Sequence, residues 1–261
     1  MIPQGLAGLE TQLWLWLIAL IRPGAAFIAA PVFGAPQVPL QLRAVVALAV
    51  GVPAMSNTPF VLPIDGVVSV AGILLVMGEV LAGLALGFAV QIGFSAALVA
   101  GEVIGNAMGL GFAGMMDPAT GAPTPALSQY LSLMAIFLFL VTGGHLQLMA
   151  IIVESYRALP PGEAWLGARS IQGLVLFGGD VFAAGLAIAL PVGFALILVQ
   201  LVMAMLARSA PQMNIFAVGL PATLMAGLVL VAIAAPVMAD GISAALTRGL
   251  AEARLLASGG G

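Results

Sequence analysis

The sequence has no cysteine, no lysine and a single histidine, His145, among its 261 residues. Without cysteine there are no disulfides, no thiolate nucleophiles and no cysteine-ligated metals. With one imidazole, metal or catalytic sites built on histidine clusters are excluded too, and no nucleophile-base pair or facing carboxylate pair can be assembled for a membrane enzyme. Charge is equally scarce: seven basic and ten acidic residues make up 7% of the chain, against 62% hydrophobic residues and a mean hydropathy of +1.21. A water-facing surface carries mixed charge and a bilayer excludes it, so the composition points to an integral membrane protein. The formal charge of -3 is small and scattered. It offers neither a nucleic-acid footprint nor a polybasic lipid-binding run. Arg22 is the first cation, behind Glu10, so the first apolar run lacks the basic flank of a cleaved leader and is expected to remain as a helix.

What is present is a series of long apolar runs with sparse punctuation. Residues 11–34 form the first, interrupted by Arg22-Pro23, and a turn near residues 35–39 leads to a second over about 40–56. Residues 56–63 read as a loop. A third run extends from 64 to about 116, too long for one crossing. The next helix spans 126–153 and breaks at Gly143-Gly144-His145, and residues 154–169 form the most hydrophilic connection. The longest oily arm covers 171–207. A continuous helix there would extend roughly 55 Å against a hydrocarbon core of about 30 Å, so it must kink, tilt or leave the bilayer. Pro191, beside Gly193, supplies a kink. The polar island over 208–216 separates this arm from the next. It reads as a hairpin turn, with Pro211 stopping one helix and Gln212 and Asn214 able to hydrogen-bond unpaired helix-end groups. Thr247 to Leu256 reads as a short polar helix before a glycine tail. Together these features predict an all-α, polytopic membrane protein of about six long, kinked helices arranged as bent hairpins. They form one domain over 1–261, with 257–261 a disordered tail.

Four groups of residues carry candidate roles. Gly101, Gly105 and Gly109, at four-residue spacing, make a flat helix-packing face that admits another backbone, as a static contact or a moving one. Gly109, Gly111 and Gly114 also match a dinucleotide-binding spacing. A membrane helix precedes them and Asp117, Pro118, Pro123 and Pro125 follow, so the strand-to-helix context of that fingerprint is missing. The segment reads instead as a flexible loop tipped by Phe112, Met115 and Met116. Arg22, Glu79 and Glu102 stand within apolar runs, where a charge must pair, hydrate or neutralise. Arg22 is expected to pair inside a bundle. The acids are expected to bond a neighbouring subunit or a cavity water, or to relay protons. His145 is read as a satisfied helix-end group, with a proton-titrating switch as the alternative. With about six helices, Arg157, Arg169, Arg248 and Arg254 fall on one side and Arg43 and Arg208 on the other, an arrangement that puts both termini in the cytoplasm.

The run Ala210-Pro211-Gln212-Met213-Asn214-Ile215-Phe216-Ala217-Val218-Gly219, with Pro221 close behind, is the most specific motif in the chain. With it come, in order, Arg22 before Pro31-Val32-Phe33, the Gly78-Glu79 and Gly83 group, Ala100-Gly101-Glu102, Asp117-Pro118 and Gly143-Gly144-His145. On these residues the chain resembles, over nearly its whole length, the FliR/SpaR/YscT-like family of type III secretion export-gate subunits. The Pro-Gln-Met-Asn turn is more like its flagellar branch. The resemblance implies a non-enzymatic, single-copy subunit without cofactors in the bacterial inner membrane at the flagellar basal body. Its implied partners are FliP-like and FliQ-like gate subunits, an FlhB-like membrane subunit, flagellar rod proteins and unfolded export substrates in transit. It also implies that Gly109, Gly111, Phe112, Gly114, Met115, Met116 and Asp117 form a pore plug, and that Pro211, Gln212, Asn214, Phe216 and Pro221 form a hairpin corner. One departure is plain: relatives commonly carry a lysine shortly after the proline matching Pro221, where Ala222 and Thr223 stand here. Two other readings remain. One is an injectisome subunit. The other is a small-molecule secondary transporter, which usually shows paired internal repeats that this sequence lacks.

Overall fold

The computed structural model describes residues 7–56, 69–110, 126–162, 167–209 and 215–259. Seven helices account for nearly all of them: α1 (Ala7–Ala29), α2 (Leu40–Ser56), α3 (Val70–Ala107), α4 (Ala126–Val141), α5 (Gly144–Ala158), α6 (Ala168–Ser209) and α7 (Ile215–Ala257). This agrees with the expected count of about six, and the break expected in the run over 126–153 separates α4 from α5 at Thr142-Gly143. Gly143 takes φ 70, a left-handed conformation that a side chain resists, and its carbonyl accepts from the Leu146 and Gln147 amides to start α5. Among the described residues four helices are long and apolar enough to cross a membrane, and α4 and α5 meet the same test only together, as a pair bent by 64°.

α3, α6 and α7 contain 38, 42 and 43 residues. At about 1.5 Å per residue they measure roughly 57 to 65 Å, about twice the hydrocarbon thickness. The arm over 171–207 is a single helix that runs through Pro191. One expectation is corrected. The polar stretch after Thr247 is no separate helix but the last turns of α7, whose cap runs to Gly259 at φ 87. The hydrophilic connection is also shorter than the sequence suggested, since α5 continues to Ala158 and α6 begins at Ala168.

The chain divides into two compact units, and α3, α6 and α7 each contribute to both. The first comprises residues 1–93, 142–178 and 247–261. Here α1 and α2 form an antiparallel hairpin, with Ala19 against Gly51 at one end and Arg43 bonded to the Ala35 carbonyl at the other. Glycines set the helix spacing. A Cβ at Gly51 would run into the Ala19 carbonyl, one at Gly83 into the Arg22 carbonyl, and one at Gly87 into that of Ala26. The α1 backbone is therefore seated against both α2 and α3. Gly249 does the same for the end of α7 against Val90 and Gly93. The second unit comprises residues 94–141 and 179–246. Its α4 buries Leu127, Leu131, Ala135 and Phe139, a one-turn repeat that forms a single stripe. The second half of α3 meets α4 at Gly101, where a Cβ would strike the Ser128 backbone, and meets α6 at Gly185, against Val99.

Candidate functional site

The most polar point of the first unit is also its most buried. Arg22 lies on the face of α1 that carries Ile18 and Ala26, and its side chain is fully enclosed, as is that of Glu79. Nε donates to Glu79 Oε2 at 2.9 Å and Nη2 to Oε1 at 2.6 Å, a two-pronged ion pair. Nη1 donates to Ser155 Oγ at 3.0 Å and Nη2 to the Leu159 carbonyl at 2.8 Å, just past the end of α5. The Tyr156 ring lies 4.1 Å from the guanidinium carbon. One cation thus bridges α1, α3 and α5.

The local sequence arranges this. Glu79 and Gly83 are one turn apart on α3, so the close approach that Gly83 permits brings the carboxylate within reach. Pro23 has no amide hydrogen, which leaves the Ala19 carbonyl without its helical donor. The Tyr156 hydroxyl lies 3.5 Å from that oxygen and fills the gap. Ser155 donates onward to the Ile152 carbonyl at 2.7 Å while accepting from Arg22. A fully bonded cation of this kind fixes three helices in one register.

The other sequence-selected residues are dispersed. Glu79 bonds Arg22 of its own chain, which corrects the expected bond to a neighbouring subunit or water. Glu102 is half-buried on the second half of α3. His145 is the second residue of α5, and its buried Nδ1 has no hydrogen-bond partner among the described residues, so the expected satisfied helix-end group is not what is found. Gly101 does form a backbone contact, with Ser128 of α4, and Gly105 is buried beside it. Gly109 does not share their face. α3 ends at Ala107 and Gly109 adopts φ 84 beyond it. Its amide returns to Asn106 O at 3.0 Å and that of Leu110 to Gly105 O at 2.9 Å. This paired closure is a Schellman cap, which favours glycine at the left-handed position. The periodic spacing was right for a helix that stopped two residues earlier.

Gly111, Phe112, Gly114, Met115, Met116 and Asp117 of the expected plug lie outside the described residues, as do Pro211, Gln212 and Asn214 of the expected corner. Phe216 falls in the first turn of α7. Pro221 is corrected from the corner to the interior of α7, at its seventh position, where it frees the carbonyl four residues earlier. The Thr223 hydroxyl lies 3.4 Å from Met108 O at the end of α3. Gln200 Nε2 donates to the adjacent Ala107 carbonyl at 2.8 Å.

Sequence reasoning missed Tyr156, Ser155, Gly51, Gly87 and Gly249. The spacing of Gly83 from Gly87 was the one available signal for part of this set, being the same four-residue step that drew attention to Gly101 and Gly105.

Comparison with known proteins then decides the family. Residues 13–249 match the family described as bacterial export proteins, family 1. The chain belongs to that family. Among members of the export-protein family, it is 35% identical to the flagellar biosynthetic protein FliR of Escherichia coli strain K12, over 87% of this chain and 86% of the relative. It is 31% identical to FliR of Bacillus subtilis strain 168, over 79% and 80%. The match to the surface presentation of antigens protein SpaR of Salmonella typhimurium is 32% over 58% and 57%. The Arg22, Glu79, Ser155 and Tyr156 positions all fall within the part that matches the export-protein family.

Proposed function

We propose that this chain is a non-enzymatic membrane subunit of the flagellar type III protein export gate. It assembles with FliP-like and FliQ-like subunits, and with an FlhB-like subunit nearby, in the bacterial inner membrane at the flagellar basal body. The gate passes unfolded rod, hook and filament proteins. The observation that carries this reading is the similarity to flagellar biosynthetic proteins named FliR over most of both chains.

The dimensions of the helices agree with it. α3, α6 and α7 exceed the thickness of a bilayer about twofold, and in the most apolar stretches of α6 and α7 only 22% of residues are buried within the chain. Phe182, Leu190, Phe194, Leu201 and Met205 of α6 and Met225, Leu228 and Ile233 of α7 are exposed. Such surfaces suit rods that lie against unlike subunits around a conduit. The mechanism is steric. Phe112, Met115 and Met116 on a glycine-jointed segment seal the channel by burying their apolar surfaces together, part when a chain threads through, and reseal afterwards. Arg22 and Glu79 hold the frame that carries the channel wall.

Gentle detergent purification and mass measurement of the intact particle test the assembly: unlike membrane subunits in fixed ratio are expected, and a homogeneous self-complete protein overturns the reading. Loss of swimming on deletion tests the flagellar assignment. The similarity to SpaR favours a second reading, in which the same gate serves an injectisome, and there deletion abolishes effector secretion while swimming persists. Replacing Phe112, Met115 and Met116 together with alanine is expected to leak ions and small solutes while still permitting export. Unchanged conductance in an assembled gate removes the plug assignment.

A further inference from the structure

A groove of about 330 Å³ opens in the first unit between α1, α2 and α3. Leu20, Ile21, Ile28, Leu40, Val80 and Leu84 make its walls. Its floor includes Gly24, where an added Cβ would meet nothing within 4 Å, so the space is real and continuous with the helix backbone. One side chain breaks the apolar lining, and it is a cation. Arg43 stands in the first turn of α2, and among the described residues only its Nη2 has a partner, the Ala35 carbonyl at 2.6 Å. Nε is buried without one, and no described carboxylate lies within ion-pairing distance, the ion pairs being those of Arg22 and Arg254.

The placement of the charge is informative. Arg43 sits at the turn end of the α1–α2 hairpin, beside Ile28 near the end of α1. From there the apolar wall recedes along α1 from Ile28 to Leu20, about 12 Å at the helical rise. An unpaired guanidinium at one end of an apolar trough complements an amphiphile with an anionic head and a hydrocarbon tail. The neighbouring amides at the start of α2 add positive potential at the same end. In an integral membrane protein the surrounding solvent supplies that amphiphile. We propose that this groove is a binding site for an anionic phospholipid, with its phosphate on Arg43 and one acyl chain lying over Gly24 between Ile21, Ile28 and Leu84. The bound lipid supplies the charge that Arg43 lacks and fills the groove between three helices, so it acts as a structural component of the first unit. A helix from an unlike subunit carrying a carboxylate is the competing occupant; the receding wall with its charge at the hairpin end favours the lipid.

The test uses the full chain, purified with whatever subunits accompany it, and phosphatidylglycerol carrying a photoreactive diazirine in its acyl chain, with phosphatidylcholine bearing the same label for comparison. Labelled residues are mapped by mass spectrometry. Labelling is expected to concentrate on residues 20–28 and 80–84 with phosphatidylglycerol, and to be several-fold weaker with phosphatidylcholine. Gly24→Leu fills the trough at a position open enough to accept it, and is expected to lower that labelling about tenfold while the exposed face of α6 is labelled as before. Arg43→Gln is expected to abolish the preference for the anionic lipid without abolishing acyl contact. The proposal is overturned if the groove is labelled no more than the exposed α6 face, if Gly24→Leu changes nothing, or if chemical cross-linking places another subunit's helix in the groove of the assembled particle. Subunit composition is read from the same sample, so failure of the lipid site is distinguishable from failure of the gate assignment.

Discussion

Removing one member of the buried pair should be far worse than removing both. Glu79→Ala deletes two of the four hydrogen bonds that Arg22 makes and leaves an enclosed guanidinium with only Ser155 Oγ and the Leu159 carbonyl as acceptors. Hydrogen bonds to charged groups contribute about 1.5–3 kcal/mol each, and breaking a buried pair from one side costs about 3–5 kcal/mol, so two independent routes give a similar figure. Arg22→Ala leaves the complementary orphan, a carboxylate with no counter-charge, at comparable cost. The double variant Arg22→Met with Glu79→Leu keeps apolar volume in the site and removes both charges. It should lie within about 1–2 kcal/mol of the native chain, because well-packed apolar side chains replace buried ion pairs at little cost. The assay is a double-mutant cycle on purified protein, unfolded by increasing the mole fraction of a denaturing detergent and followed by tryptophan fluorescence. A coupling energy of several kcal/mol is expected. A double variant as unstable as the two single losses combined would show that the pair is no unit and refute the reasoning. Glu79→Gln adds a second arm: full export from a correctly assembled gate is expected, and loss of export without loss of assembly would instead make Glu79 a proton carrier.

The other expectations follow from single contacts. Gly83→Ala puts a Cβ against the Arg22 carbonyl and 2.8 Å from Ala25 Cβ, both on α1, so it should destabilise by about 1–3 kcal/mol and lower the yield of assembled particle. Gly101→Ala meets the Ser128 backbone and should have a similar effect, read as faster hydrogen exchange in α4. Gly109→Ala strains the left-handed cap of α3 at about 1–2 kcal/mol, which should appear as fraying of residues 104–110 with the rest of α3 protected. Ser155→Ala removes one acceptor for Arg22 but neither charge, so a loss of about 1.5–3 kcal/mol is expected, short of Glu79→Ala, which removes two.

The amino-acid order by itself determined the class and most of the boundaries. An almost chargeless surface admits only a membrane protein, and helix α2 stands at the limits that the Pro, Gly and charged punctuation gave it, because punctuation acts through local backbone geometry, while α1 starts and ends about a turn before its apolar run. The motif around Pro211 carried the family, since it is a run of consecutive residues. Local pattern also showed that Arg22 needs company at its depth in an apolar run. What only the tertiary structure decided was the company: Glu79 is 57 residues away and Ser155 is 133 residues away, distances that no periodicity links. The same limit misplaced Gly109, for four-residue spacing continues past a helix end and only the left-handed backbone at that glycine marks the stop. Pro221 erred in the opposite direction, a helix breaker by local chemistry held inside a 43-residue helix. Spacing along the chain fixes which faces a helix has; the helices that reach those faces are set by side-chain packing between distant segments.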